Sequence, residues 1–486
     1  MKWFPLVALL AVMAVPAAEA QIVLYPHVAE TVMPPSEDYR VEVRRADARD
    51  AWQPLQVFRV EVDGDTHSRA SMAHFDMGEA VEVRVTGPRA VGEAVVRPLS
   101  KRIVPRSMDG GEVRFVVEKP AQLSIEFGGD RLHNLHLFCN PVETEAFHDL
   151  AADDNTINWN GGSKDIFRKD SRLIYFGPGL HKPKDLPGEE INIPSNCTVY
   201  LAPGAVVCAR LRVDKAENVR IIGRGVLYQP LRGVEITHSR NVLVDGITVV
   251  NPRHYTILGG DSENVTVRNV KTFSSKPWSD GIDLMCCRDW LIEDVFLRTS
   301  DDCLAFYNHR WWYWGGSSDI TVQRAVLWAD VAHAMNVGIH GDDMSEEGET
   351  IEHVVFRDID VLNVDEDDDN YRGVMAVNCG DKNRVCDVLF EDIRVEDCEE
   401  ARLIDVKVNY NEKYNRAPGY GICDITFRNI SYDGGTGTMY PSRIQGYNTQ
   451  YGVRDVRLEN IRVNGKRLTS TEDFEINEYT ERITMK

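Results

Sequence analysis

The chain has 486 residues, 43% of them hydrophobic and 9% aromatic, with a formal charge of −21 at neutral pH. That length accommodates two domains or one large repeat structure, and the apolar content excludes wholesale disorder. The acidic field repels nucleic acid, anionic lipid and acidic polymers, so no nucleic-acid partner is expected and a polyanionic substrate is disfavoured.

Residues 1–20 read as a secretory signal peptide: one lysine, an apolar run from Trp3 to about Pro16, and the small-residue sequence Ala18-Glu19-Ala20. The mature chain is expected to begin near Gln21 and to be secreted or periplasmic. No later stretch reaches the ~20 continuous apolar residues of a membrane span.

Residues 21–135 contain short alternating runs such as Tyr39-Arg40-Val41-Glu42-Val43 and Val113-Arg114-Phe115-Val116-Val117, broken by Gly, Pro or Asp. This pattern predicts an antiparallel β-sandwich. Residues 136–194 read as a connecting segment, turn-rich from Asn155 to Lys164 and broken at Gly177-Pro178-Gly179.

From 195 to 486 the chain repeats a polar residue followed by an alternating apolar strand with a second polar position midway. The repeats start at Asn218, Asn241, Asn264, Asp289, Asp319, His353, Asp387, Asp424 and Asp455. Short β-branched strands at this period, without helical patterning, predict a right-handed parallel β-helix whose coils bury a shared core. The expected fold class is therefore all-β, a sandwich preceding a β-helix. The later coils are longer, which places inserted loops there.

Counting from each coil start aligns five ionisable residues across four consecutive coils: His254, Asp280, Asp301, Asp302 and His333. Coils lie ~4.8 Å apart, so these residues stack. Carboxylates crowded in this way cannot all ionise, and the crowding leaves one as an acid and another as a base. Glycoside hydrolysis requires that pair, and an acid–base separation of ~6.5–9.5 Å leaves room for water and inverts the anomeric centre.

Three motifs carry a family resemblance. Trp278-Ser279-Asp280-Gly281-Ile282-Asp283, Ser300-Asp301-Asp302-Cys303 and Ala332-His333-Ala334-Met335-Asn336-Val337-Gly338 resemble the Asn-Thr-Asp-Gly-Ile-Asp, Asp-Asp-Cys and Gly-His-Gly signatures of polygalacturonase-type enzymes, glycoside hydrolase family 28. The resemblance implies Asp301 as general acid, Asp280 and Asp302 as the residues that hold and activate water, and His333 as a sugar contact. It also implies an Arg-Ile-Lys signature on a later coil to grip a sugar carboxylate. The matching stretch here, Gly373-Val374-Met375-Ala376-Val377-Asn378, has neither cation, while Arg402 and Lys407 match only with a coil shift. The added sandwich is similar to the architecture of family 49, the dextranase and isopullulanase group, and implies a neutral or weakly charged polysaccharide or oligosaccharide.

The segment Asn308 to Gly316, with Arg310, Trp311, Trp312, Tyr313 and Trp314, is too aromatic for an ordinary loop and is expected to offer sugar-stacking faces. Trp278 reads the same way, and Asp283, His254, Arg310 and Trp312 join His333 as expected substrate contacts. The acidic run Asp365 to Asp369 reads as a solvated loop rather than a calcium site. The ten cysteines have no regular spacing, about half are expected to be buried small hydrophobes, and neither a metal nor a cofactor is expected. Two rival readings are a β-helix polysaccharide lyase, which would need a basic proton abstractor, and a non-catalytic sugar-binding solenoid, which would not need stacked aspartates.

Overall fold

The computed structural model describes residues 21–47, 49–87, 93–108, 111–144, 156–158, 172–182, 189–435 and 437–486. The expected signal peptide lies outside these residues, as does the turn-rich stretch of the connecting segment apart from residues 156–158.

The repeat of Asn and Asp has a backbone cause. Asn218, Asn241, Asn264, Asp289, Asp319, His353, Asp387, Asp424 and Asp455 all have φ between 53° and 58°, the left-handed region that Asn and Asp tolerate best among residues with a Cβ. Each coil turns a corner at this position. Asn218, Asn241 and Asn264 then donate side-chain amides to the preceding rung, the first to Asn196, at 2.6–3.1 Å. The midway polar position is a second left-handed corner, as at Asn269, Asp294, Asp358 and Asn429.

Between corners the strands form parallel ladders. A 21-stranded sheet runs from Thr156–Asn158 to Thr480–Met485, and a 12-stranded sheet runs along the other wall from Glu190–Asn192 to Glu475–Ile476. Parallel pairing already joins Thr156–Asn158 to Leu173–Phe176 and that strand to Thr198–Leu201, so the first coils fall within the stretch read as a connector. One continuous apolar core fills the interior, including stacked Phe306, Phe356, Phe390 and Phe427 rings whose centroids are 4.8–5.5 Å apart.

Ahead of the solenoid, a six-stranded and a five-stranded sheet face each other across their own core. Their pairings are antiparallel apart from Leu135–Pro141, which runs parallel to Ser68–Met77. The six-stranded sheet also packs against the solenoid: Phe58, Val60, Met72 and Phe138 share a third apolar cluster with Val250, Phe273, Phe296 and Trp328. Within that contact, fully buried Arg298 reaches back to Asn134 Oδ1 at 2.9 Å while gripping Asp330 with two hydrogen bonds of 2.9 and 3.0 Å.

Cys386 and Cys423, ladder partners on adjacent coils, form a disulfide. The other eight cysteines are free, and all but half-buried Cys208 are buried.

Candidate active site

The 12-stranded sheet places the three sequence motifs on consecutive rungs. Ile282–Met285, Leu304–Tyr307 and Met335–Gly338 are neighbours in the ladder. The Gly281 and Cys303 amides donate to the Asp302 and His333 carbonyls, both at 2.8 Å. Asp280, Asp302 and His333 therefore occupy equivalent positions at the start of three successive strands. Gly281 makes this approach possible, because a Cβ there would strike the Cys303 carbonyl.

One carboxylate oxygen from each of Asp280, Asp301 and Asp302 lies within 4.8 Å of the other two. This is closer than the ~6.5–9.5 Å expected between an inverting acid and base. Two rungs place their side chains in direct apposition, and the consecutive Asp301 and Asp302 add a third carboxyl to the same space.

The three carboxyls have different surroundings. Burial opposes ionisation of Asp302, but His333 overrides it: the ring Nδ1 is 2.7 Å from Oδ1, the His333 amide donates to Oδ1 at 3.0 Å, and Asn336 Nδ2 donates to Oδ2 at 2.9 Å. The carboxyl is held below its ordinary range. Burial would discharge His333, yet Asp302 and Glu366, whose Oε2 is 3.8 Å from Nδ1, raise it to about 9. Its Nε2 meets the Tyr371 carbonyl. Asp302 and His333 thus form a buried ion pair.

Burial and the adjacent Asp302 carboxylate push Asp301 up to about 6, against two backbone amides, Trp278 N–H at 3.1 Å and Asp302 N–H at 3.0 Å. Asp280 is raised well above the ordinary range, by burial and then by Asp283, Asp301 and Asp302, and its Oδ1 has no hydrogen-bond partner among the described residues. The cluster therefore combines a carboxylate that ionises readily with two carboxyls that hold their protons to higher pH than an ordinary aspartate.

Asp283 points outward from strand Ile282–Met285, fully buried, with Tyr255 as its neighbouring hydroxyl. Its nearest cation, Arg310, is 4.0 Å away and makes no side-chain hydrogen bond among the described residues. Trp278 and Trp312 stand exposed at the rim, at 69% and 62%.

Two placements depart from the sequence expectations. His254 lies one residue off the column of Asp280, Asp302 and His333, which Tyr255 joins instead, since the Thr256 amide donates to the Asp280 carbonyl at 2.8 Å. His254 sits edge-on to Tyr255, and its Nδ1 accepts the Tyr255 amide. The acidic run is not simply solvated: Glu366 turns in toward His333, Asp369 pairs with Arg372 and Arg402, and Asp368 pairs with Lys413. Tyr371, whose ring is 5.1 Å from His333, comes from the same insertion. Asn336 lay within the quoted third motif, whereas Tyr255, Glu366 and Tyr371 carried no repeat signal that could single them out.

Fold and carboxylate cluster together define a carbohydrate-active β-helix. Residues 211–481 match the family model described as glycosyl hydrolases family 28, and the chain belongs to that family. It is 27% identical over 203 residues to an exopolygalacturonase of Arabidopsis thaliana, covering 41% of this chain and 44% of that one. A probable endopolygalacturonase of Neosartorya fischeri is 24% identical over 240 residues, covering 48% and 42%. The chain spans less than half the length of these curated relatives. Among solved structures, Dex49A from Penicillium minioluteum superposes with a TM-score of 0.69 at 14% identity, covering 96% of this chain and 99% of that one. The family 28 exopolygalacturonase of Yersinia enterocolitica gives 0.51 at 13% identity, covering 89% and 99%.

Proposed function

We propose that the protein is an exported glycoside hydrolase in which Asp301 protonates the departing glycosidic oxygen while a water seated between Asp280 and Asp302 attacks the anomeric carbon. The observation that carries this reading is the divergence of environment within one cluster: His333 and Asn336 keep Asp302 ionised, while Asp301 is raised to about 6. Two oxygens within 4.8 Å can both hydrogen-bond one water between them. Asp302 takes the proton of that water, and proton-bearing Asp280 orients it. The third carboxyl thus removes the need for a wide acid–base gap, and the anomeric configuration inverts.

The cleavage site suits a neutral or weakly charged sugar. On strand Gly373–Cys379, Met375 and Val377 belong to the core, leaving Ala376 and Asn378 on the outward face with no charge to meet a carboxylate. Arg310 favours a second reading, an acidic sugar such as galacturonate, because it stands beside the cluster without a hydrogen-bond partner among the described residues. Hydrogen-bonded carboxylates would otherwise be expected around a half-buried guanidinium. The Cys386–Cys423 disulfide suits an oxidising compartment and supports export.

Incubation with dextran, pullulan, polygalacturonate and 4-nitrophenyl monoglycosides tests the reading, with reducing ends and the ultraviolet absorbance of unsaturated uronides followed together. Reducing ends or nitrophenol without that absorbance are expected; absorbance on polygalacturonate would mean a lyase. The kcat/KM profile is expected to be bell-shaped. Asp301 must be protonated, so activity falls as pH rises through about 6. Asp302 must be ionised, so activity also falls on acidification, below the ordinary Asp value of ~3.9 because its folded-state value is depressed.

A further inference from the structure

The aromatic segment after the aspartate pair does not extend along the groove; it folds back over the coils that precede the catalytic ones. Trp311 stacks on Tyr255, with ring centroids 5.9 Å apart and planes 14° apart, and lies against the guanidinium of Arg232, 5.2 Å from the ring centre. Tyr313 packs onto the sheet at Gly260, where any Cβ would collide with its ring. The floor beneath is sealed: outward-facing Leu258 and Met285 are fully buried in a cluster with Tyr255 and Tyr313.

This segment is fastened at both ends. Glu349 accepts the amides of His309 and Gly315, each at 2.9 Å, and Asn308 is tied to Asn383 and Ser317 at the same distance. His309 and Trp314 stack at 3.5 Å. It is a fixed wall rather than a flap.

Its position along the axis is set by the rungs. Tyr255, Asp280 and Asp302 occupy equivalent positions on three consecutive rungs, so the Trp311 wall stands two rungs, or ~10 Å, from the aspartate pair on the amino-terminal side. On the carboxy-terminal side, beyond His333 and Tyr371, Tyr414, Tyr410 and Tyr447 remain exposed at 39–42%. The groove is therefore closed on one side and bordered by accessible rings on the other.

We propose that the enzyme is exo-acting: residues 308–316 close the amino-terminal side of the groove, so that one or two terminal sugar residues fill the space before the wall and the rest of the chain leaves over the tyrosines. The inference rests on the hydrolase reading and adds to it the mode of attack. Trp311 acts as the length-determining residue, without touching the reacting bond.

The full mature chain is incubated with whichever of dextran, pullulan and polygalacturonate it hydrolyses, while viscosity and product sizes are followed from the first percent of reaction. Mono- or disaccharide as the sole early product, with viscosity lagging behind reducing ends, is expected. Intermediate lengths with an early viscosity collapse would overturn the exo assignment while leaving the hydrolase reading intact. Hydrolysis of no polymer and no 4-nitrophenyl glycoside would overturn both. Trp311→Gly, checked for unchanged circular dichroism, is expected to lengthen the early products; should it fail to fold, Arg232→Ala, which removes one support of the indole, takes its place with the same expected shift. A product distribution unchanged in the folded variant would overturn the role of Trp311.

Discussion

Asp301→Asn is expected to lower kcat/KM on the polymer by ~10²–10⁴-fold, the range over which positioned general acids act, while leaving the fold intact. The replacement is nearly isosteric, and its amide oxygen can still accept one of the two backbone amides, from Trp278 or Asp302, that now hold the carboxylate. What it lacks is a proton to give. The effect should therefore depend on the leaving group: a dinitrophenyl glycoside departs without protonation, so Asp301→Asn should retain most of its activity there. Asp302→Asn should lose activity on both substrates, because the attacking water loses its base and His333 loses the carboxylate that keeps it charged. Equal losses for Asp301→Asn on both substrates would remove it from the role of acid.

The second large effect concerns stability. Arg298→Ala is expected to destabilise the protein by ~3–5 kcal/mol, because it leaves a buried carboxylate without its cation. Arg298 is fully buried; it grips Asp330 with two hydrogen bonds, donates to Asn134 Oδ1 at 2.9 Å, and lies 4.1 Å from the centre of the Trp328 ring. Burial already raises Asp330 against the pull of Arg298, so without the arginine that carboxyl must take up a proton or remain an unpaired charge. The double variant Arg298→Ala/Asp330→Asn should recover part of the loss in denaturant midpoint, since it removes the stranded charge as well. If the double variant were no more stable than the single one, the cost would lie in lost packing against Trp328 rather than in the charge.

The solenoid was legible because a corner of the coil imposes a backbone conformation that few side chains accept. Asn218, Asn241, Asn264 and Asp289 mark it openly, and His353 marks it as well. Counting from those corners brought Asp280, Asp302 and His333 onto one column, but it missed by one residue at His254, because the number of residues between the corner and the strand differs among coils. The sandwich was legible as alternation, apart from the parallel pairing of Leu135–Pro141, a crossover with no local signature. Contacts made by insertions escaped: Glu366 beside His333, Tyr371 against its ring, and Trp311 folded back onto Tyr255. A loop outside the repeat has no period to count along, and its direction is decided by anchors such as Glu349, 34 residues from Gly315. The carboxylate spacing was likewise hidden, since it follows from two rungs in apposition rather than from residue type.

The most direct test of the water seat between Asp280 and Asp302 is the anomeric configuration of the first product, read by proton NMR before mutarotation mixes the two forms. Opposite configuration to the bond cleaved is the predicted result, because water attacks once from the face opposite the leaving group. Retained configuration would contradict the account: it would mean two displacements, with one of these aspartates forming a covalent bond to the sugar instead of holding water against it.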